Sequence, residues 1–349
     1  MHQYAILYNP GHNRVYFETS LSLAVSEFYI AAEKFSTQFE HVQQQNIFDI
    51  DYLTFETSPP LSLPDVKIIS DLSFVYALFE MQNINNEVYL KPIRKANENF
   101  VDESMSTILK YTGKTNEIFT RMMMNVAYYS QNNTGAIRLL DPIAGKGTTL
   151  YEGLIKGYNV YGIEIGESIV NESHHFIKRF LETARYKFEY ASLKISGQNK
   201  SFSALRHTFV TAKTKEDFKS KNTKTIEMIA GNSLYANKYY KKNFFDVIVG
   251  DLPYGVQHGN VTNEKQSSIT RNPAELLHAC LPAWLEVLKP NGVIVLAWNS
   301  NVLPRQKMEQ LFAARGLAVK NSDVYLSFEH KVDQSIMRDI IVAIKANPS

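Results

Sequence analysis

From about residue 100 onward, short β-rich runs alternate with helical ones. IRLLD (137–141), NVYGIEI (159–165), IEMIA (226–230), FDVIVGD (245–251) and GVIVLAW (292–298) read as strands. TTLYEGLIKG (148–157), SIVNESHHFIKRFLETARYKF (168–188) and NPAELLHACLPAWLEVLK (272–289) read as helices. Such alternation predicts an α/β fold, with a mostly parallel sheet and helices on both faces. The end of the chain, VYLSFEH (324–330) and SIMRDIIVAIK (335–345), reads as two strands joined by a hairpin. A terminal hairpin puts one antiparallel strand near a sheet edge.

The first hundred residues have another character. They hold 6 basic and 12 acidic residues, against 31 and 23 in the rest, so a balance of −6 faces one of +8. Parts so unequal in charge have different jobs, and a basic part suits a nucleic-acid partner. YAILY (4–8), NPGHN (9–13) and RVYFE (14–18) read as strand, turn, strand, and 20–35 as a helix. DYLTFET (51–57) reads as a strand, and PPLSLP (59–64) as a loop. The mixture predicts a small α+β domain over 1–98 and a second domain over 99–349, in keeping with a length of 349 residues. A single Cys excludes an intramolecular disulfide and a Cys-based zinc cluster. No metal site is expected. The opening lacks a basic segment followed by an apolar one, which predicts no signal peptide. No apolar stretch is long enough for a membrane span, so the cytoplasm is the expected location.

Two junctions carry the chemistry. The first is Leu139-Leu140-Asp141-Pro142-Ile143-Ala144-Gly145-Lys146-Gly147-Thr148-Thr149, where a strand ends in Asp and a G-x-G turn opens a helix. Glycines let the backbone approach a ligand closely. The dinucleotide fingerprint is absent because residue 150 is Leu, and the P-loop spacing is absent too. The next strand ends in Glu164, placed to accept hydrogen bonds from ribose hydroxyls. Together these predict a nucleoside-bearing ligand over the strand C-termini; the turn alone would also suit a ligand-free fold.

The second junction is Phe244-Phe245-Asp246-Val247-Ile248-Val249-Gly250-Asp251-Leu252-Pro253-Tyr254-Gly255. An apolar strand delivers Asp-Leu-Pro-Tyr-Gly to its C-terminal end, where open α/β sheets bind ligands. With it the chain resembles the class I S-adenosylmethionine-dependent methyltransferases that modify amino groups, whose fourth motif reads Asp/Asn-Pro-Pro-Tyr/Phe/Trp. Asp141 to Thr149 resembles that family's first motif, and Glu164 matches its second-strand acid. The resemblance covers about 100–349. Leu252 departs from the commoner form, and Asp-Leu/Met-Pro-Phe/Tyr-Gly is instead similar to tRNA guanine-N2 methyltransferases.

The resemblance implies a Rossmann-like, seven-stranded methyltransferase sheet with S-adenosyl-L-methionine as cofactor. It implies cofactor contacts from Asp141, Pro142, Ala144, Gly145, Gly147, Thr148 and Glu164. It implies an amine site made by Asp251, Leu252, Pro253 and Tyr254. There Asp251 would accept a hydrogen bond from the amine, and the Leu252 carbonyl would accept a second. Pro253 would fix the turn, and Tyr254 would offer a face to an extruded base. Asn232 would meet the adenine or simply form its turn. Thr115 or Asn116, after Gly113, would meet the cofactor carboxylate or cap their helix.

Residues 185–225 form a long insertion with 10 basic and 3 acidic residues and interleaved aromatics, suited to RNA contact or to a charged lid or helical pair. His174 and His175 adjoin on one helix and read as a solvated face. His258 is a loop residue after the motif. Met122 to Met124 and Cys280 read as core. The expected substrate is tRNA or another RNA, methylated on guanosine N2. DNA adenine-N6 methylation and a catalytically silent cofactor-binding RNA or assembly module are the alternatives. A helper protein or a homodimer is left open for the acidic N-terminal domain.

Overall fold

The computed structural model describes the whole chain except residues 10–13, 86, 97, 112–113, 133–134, 255–271 and 348–349; for 14–20 and 200 it describes the backbone. Gly113, Gly255 and His258 therefore lie outside the described residues.

The N-terminal region is a five-stranded antiparallel sheet. Its strands are β1 (His2–Tyr8), β2 (Phe39–Ile47), β3 (Ile50–Thr57), β4 (Val75–Ile84) and β5 (Glu87–Ile93), in the order β2-β3-β1-β4-β5. Helices Arg14–Ala32 and Leu63–Asp71 complete a β-α-β-β-α-β pattern with a fifth strand added. The expected second strand, RVYFE, is instead the first turns of the Arg14–Ala32 helix. The expected loop 59–64 ends in a helix start: Ser62 caps the Leu63–Asp71 helix and Asp65 returns the bond, a capping box.

Tyr4, Ile6, Phe28, Leu53 and Phe55 are buried in a core that runs on into Phe119, Met122, Met123 and Met124. A polar link crosses the same contact. The fully buried Glu27 accepts from Ser73 N (2.9 Å), Ser73 Oγ (2.5 Å) and Asn125 Nδ2 (2.6 Å). Asn125 belongs to helix Glu117–Tyr129, so the two regions share both an apolar and a hydrogen-bonded seam.

Among the described residues the second sheet has ten strands. They are β6 (Arg138–Asp141), β7 (Asn159–Glu164), β8 (Lys187–Ser196), β9 (Ser203–Ala212), β10 (Lys224–Ala230), β11 (Phe245–Asp251), β12 (Leu288–Asn299), β13 (Leu317–Val319), β14 (His330–Lys331) and β15 (Met337–Lys345). Their order is β13-β15-β12-β11-β6-β7-β10-β9-β8, with β14 also on β15. β10, β7, β6, β11 and β12 run parallel, and β15 is antiparallel between β12 and β13. Seven of these strands, from β13 to β10, make the Rossmann-like methyltransferase sheet. β9 and β8 extend it.

Two readings change. The insertion 185–225 is largely the β8–β9 hairpin, not a helical pair, because β9 pairs edge-on with β10 and β8 with β9. The first arm of the terminal hairpin is mostly helix (Asp323–Leu326), leaving only two strand residues in β14; the long antiparallel partner of β15 is β12.

Val247, Ile248 and Val249 of β11 and Val293 to Trp298 of β12 are almost wholly inaccessible. Each Val, Ile or Leu side chain among them contributes about 1.5–3 kcal/mol by burial. A one-residue slip would exchange the faces of a strand, so this packing fixes where β11 ends and thus where Asp251 emerges. Cys280 and the three methionines are buried, as their surroundings suggested. His174 is less solvated than expected. It stacks on His207 of β9 at 4.2 Å, and burial, with His207 next, pushes its imidazole down to about 4. Among the described residues, no helix is long and apolar enough to cross a membrane.

Candidate functional site

The C-terminal ends of β6, β7, β10 and β11 lie side by side, and each delivers a residue singled out in the sequence. Asp141 ends β6 with its carboxyl buried. It accepts from Ile143 N at 3.1 Å and from the Thr149 hydroxyl. Burial raises this carboxyl to about 7, against the pull of those two bonds, and the Asp251 and Glu164 charges push the same way.

The glycine turn follows. Gly145 has φ +51, and a Cβ there would meet nothing within 4 Å. Gly147 has φ +94 and caps helix Thr148–Ile155, with the Tyr151 ring 3.2 Å from where its Cβ would be. The two glycines thus differ: one faces open space and the other packs against the protein. Ala144 N donates to Ile163 O at 2.9 Å, which ties the turn to β7. Pro142 is buried beneath the turn.

Glu164 ends β7 and accepts from Gly145 N (3.1 Å) and Gly166 N (2.8 Å). Burial raises its carboxyl, and those backbone bonds oppose the rise. Asn232, after β10, caps the short helical turn Ser233–Tyr235 through Leu234 N at 2.9 Å, yet it also lines a cavity with Ile165 and Gly231.

Asp251 ends β11. Its Oδ2 accepts from the Thr115 hydroxyl at 2.8 Å, and its Oδ1 from the Tyr254 hydroxyl at 2.6 Å. Leu252 N donates to Ala297 O (2.8 Å), so the Leu-Pro-Tyr turn hangs from β12. Asp141, Ala144, Gly145, Thr148, Thr115 and Asp251 to Tyr254 all line one cavity of about 240 Å³. Asn116 does not. Its Oδ1 accepts from Ile118 N and Phe119 N, so it is the cap of its helix.

Several residues in or beside the cavity escaped the sequence reading. The Tyr111 hydroxyl lies 3.2 Å from Thr148 Oγ1 and roofs the cavity. Asn299, at the end of β12, donates to Tyr254 O at 3.3 Å. The rule that parallel strands end at the site could have found Asn299. Arg338 is the second residue of β15, which runs the other way, so it lies beside Asn299 at the end of β12. Its guanidinium sits 4.4 Å from the Phe119 ring centroid and 5.3 Å from that of Tyr254. No local pattern points to Arg338 or Tyr111.

Two carboxylates, Asp141 and Asp251, thus line one small cavity with the glycine turn, and Glu164 holds that turn through Gly145 N. Such a site favours a ligand that carries positive charge.

Comparison with known proteins follows the same line. No curated protein matches the sequence. Among solved structures, a methyltransferase homolog from Pyrococcus horikoshii is 13% identical, covering 99% of this chain and 86% of that one, with TM-score 0.37. The 16S rRNA N2 methyltransferase RsmC of T. thermophilus, solved with AdoMet and guanosine, is 15% identical, covering 87% of this chain and 58% of that one, with TM-score 0.34. An rRNA methylase from Streptococcus thermophilus is 11% identical, covering 61% of this chain and 88% of that one, with TM-score 0.30. Likeness at this level carries no inference about what this chain does. The family comparison reaches further, because residues 107–328, well over half of the chain, match the profile described as UPF0020, RMKL-like, methyltransferase domain. The chain belongs to that family, the RMKL-like methyltransferase domains, and S-adenosylmethionine is its cofactor.

Proposed function

We propose that this protein methylates the exocyclic N2 amine of a guanosine in tRNA. The observation that supports the reading best is the pairing of Asp251 and its Leu-Pro-Tyr turn with the Asp141–Gly145 cradle across one cavity. The residues present fit S-adenosylmethionine. Gly145 leaves open space where a side chain would stand, and the carboxylates suit a ligand with an ammonium and a sulfonium. When bound, that cofactor supplies an electrophilic methyl group.

The chain's own residues do the rest. Glu164 would hold the ribose hydroxyls, and Asp141 would face the positively charged part of the cofactor. Asp251 accepts a hydrogen bond from the target amine and stabilises the positive charge that develops on its nitrogen. That matters because the lone pair of a guanine amine is delocalised into the ring. Thr115 holds Oδ2 of Asp251, while the Tyr254 hydroxyl on Oδ1 exchanges with the incoming amine. Tyr254 then offers its ring to the base, with Arg338 and Asn299 supporting it from β15 and β12. Basic and aromatic residues of the catalytic region serve the RNA strand.

The test is methyl transfer from labelled S-adenosylmethionine to unmodified total tRNA and, in parallel, to unmethylated DNA, with products digested to nucleosides and identified by mass. N2-methylguanosine from tRNA is the expected product. N6-methyladenine from DNA would replace this reading with the DNA one.

A pH dependence follows from Asp141. With its folded value raised to about 7, the native protein keeps this proton where the unfolded chain has lost it. Stability therefore falls as pH rises from about 4 to 7, and Asp141→Asn flattens that fall in melting curves. A cationic ligand favours the charged carboxylate. Affinity for S-adenosylmethionine therefore rises between pH 6 and 8 in the native protein and stays level in Asp141→Asn, by calorimetry.

A further inference from the structure

The β8–β9 hairpin reaches past the end of the sheet. β9 pairs with β10 as far as Leu205 opposite Ala230, where β10 stops. Ala204, Ser203 and Phe202 continue beyond it, and Gly197 N donates to Phe202 O at 3.0 Å to close the tip. This places Phe202 and Ser203 on the wall of a cavity of about 560 Å³ that Ile165, Gly231, Asn232 and Tyr235 also line. Ile165 follows directly on Glu164, so the cavity adjoins the position assigned to the ribose.

The wall is aromatic and tightly supported. The Phe202 ring stacks on Tyr235 with centroids 4.7 Å apart and planes at 23°, and meets Tyr239 edge-on at 5.7 Å. A Cβ at Gly197 would lie 2.7 Å from the Phe202 ring, and one at Gly231 would lie 2.9 Å from Ala204 Cβ. Both glycines are needed for the hairpin to close onto the turn. Phe202 and Tyr235 remain partly exposed toward the cavity. Arg206 anchors the hairpin from below, donating to Tyr239 O at 2.6 Å and pairing with Glu227 at 3.3 Å.

We infer that the hairpin serves the cofactor, with Phe202, stacked on Tyr235, as a binding residue for the adenine end of S-adenosylmethionine. The inference rests on the cofactor placement above. A purine gains by stacking on a flat aromatic wall, and the wall stands where the groove leaves Glu164. In sequence the basic and aromatic residues of this insertion suit RNA. In the fold its aromatic tip turns to the nucleoside cavity, while the outward side of β8 stays exposed.

Calorimetry with S-adenosylhomocysteine and with adenosine, on the full chain, tests this. Removing one stacking ring costs about 1–3 kcal/mol, or about 5- to 150-fold in affinity. Phe202→Ala is expected to weaken both ligands by the same factor within that range, because only the nucleoside end loses a contact. Phe202→Tyr is expected to restore affinity. Phe202→Leu keeps the bulk without the ring and serves if the alanine variant does not fold. Filter binding of unmodified tRNA at saturating S-adenosylhomocysteine is expected to be unchanged. Unaltered affinity for both ligands in Phe202→Ala and Phe202→Leu overturns the inference. So does loss of tRNA binding without loss of cofactor binding, which would make the tip a nucleic-acid surface, or a native protein that binds neither ligand. Failure of the guanosine reading shows elsewhere, as a wrong nucleoside product beside an intact Phe202 effect.

Discussion

Asp251→Ala lowers the rate of methyl transfer by about 100- to 1000-fold, the range found when one preorganised group facing developing charge is removed. S-adenosylhomocysteine affinity stays within a few-fold. The expectation follows from geometry. Asp251 stands at the end of a strand whose neighbours are almost wholly inaccessible, and two hydroxyls hold its carboxylate, from Thr115 at 2.8 Å and Tyr254 at 2.6 Å. The group is thus aimed before substrate arrives. Asp251→Asn is expected to fare little better, because an amide has one acceptor oxygen for two donors. Single-turnover rates with calorimetry separate the two effects. Cofactor affinity that falls in step with the rate would move Asp251 from the amine to the cofactor.

Gly145→Asn weakens cofactor binding strongly with little loss of stability. Asn tolerates a left-handed backbone better than other side chains, and no protein atom lies within 4 Å of the new Cβ. What the side chain fills is the cradle itself. Affinity for S-adenosylhomocysteine is expected to fall on the order of 100-fold, about 2.7 kcal/mol. Gly147→Ala behaves in the opposite sense. Its φ of +94 and the Tyr151 ring at 3.2 Å tax the fold, with a melting point lower by roughly 2–8 °C. Equal loss of stability at both positions would mean that Gly145 serves only the turn.

The catalytic sheet was legible because its central strands are apolar runs, most of them ending in a polar residue, and each helix between them carries its own pattern. IRLLD, NVYGIEI and FDVIVGD became β6, β7 and β11 almost residue for residue. The N-terminal region was harder. RVYFE has β-rich composition, yet it lies in the Arg14–Ala32 helix, because the context of a whole helix overrides a five-residue preference. β13 is three residues long and β14 two, too short to leave a periodic signal. The 185–225 insertion showed its charge but not its pairing, since strand pairing with β10 is a long-range choice.

By itself the sequence determined the parallel core, the glycine turn and the Asp-Leu-Pro-Tyr corner, because strand burial, left-handed φ and a proline turn are written in local residue types. The tertiary structure alone decided that Thr115 reaches Asp251 across 136 positions, that Arg338 backs Tyr254, and that Phe202 shares a cavity wall with Ile165 and Asn232. Those contacts depend on strand order, on the reversed direction of β15 and on how far a hairpin overshoots its neighbour. Such quantities are settled by packing the whole sheet, and no window of sequence contains them.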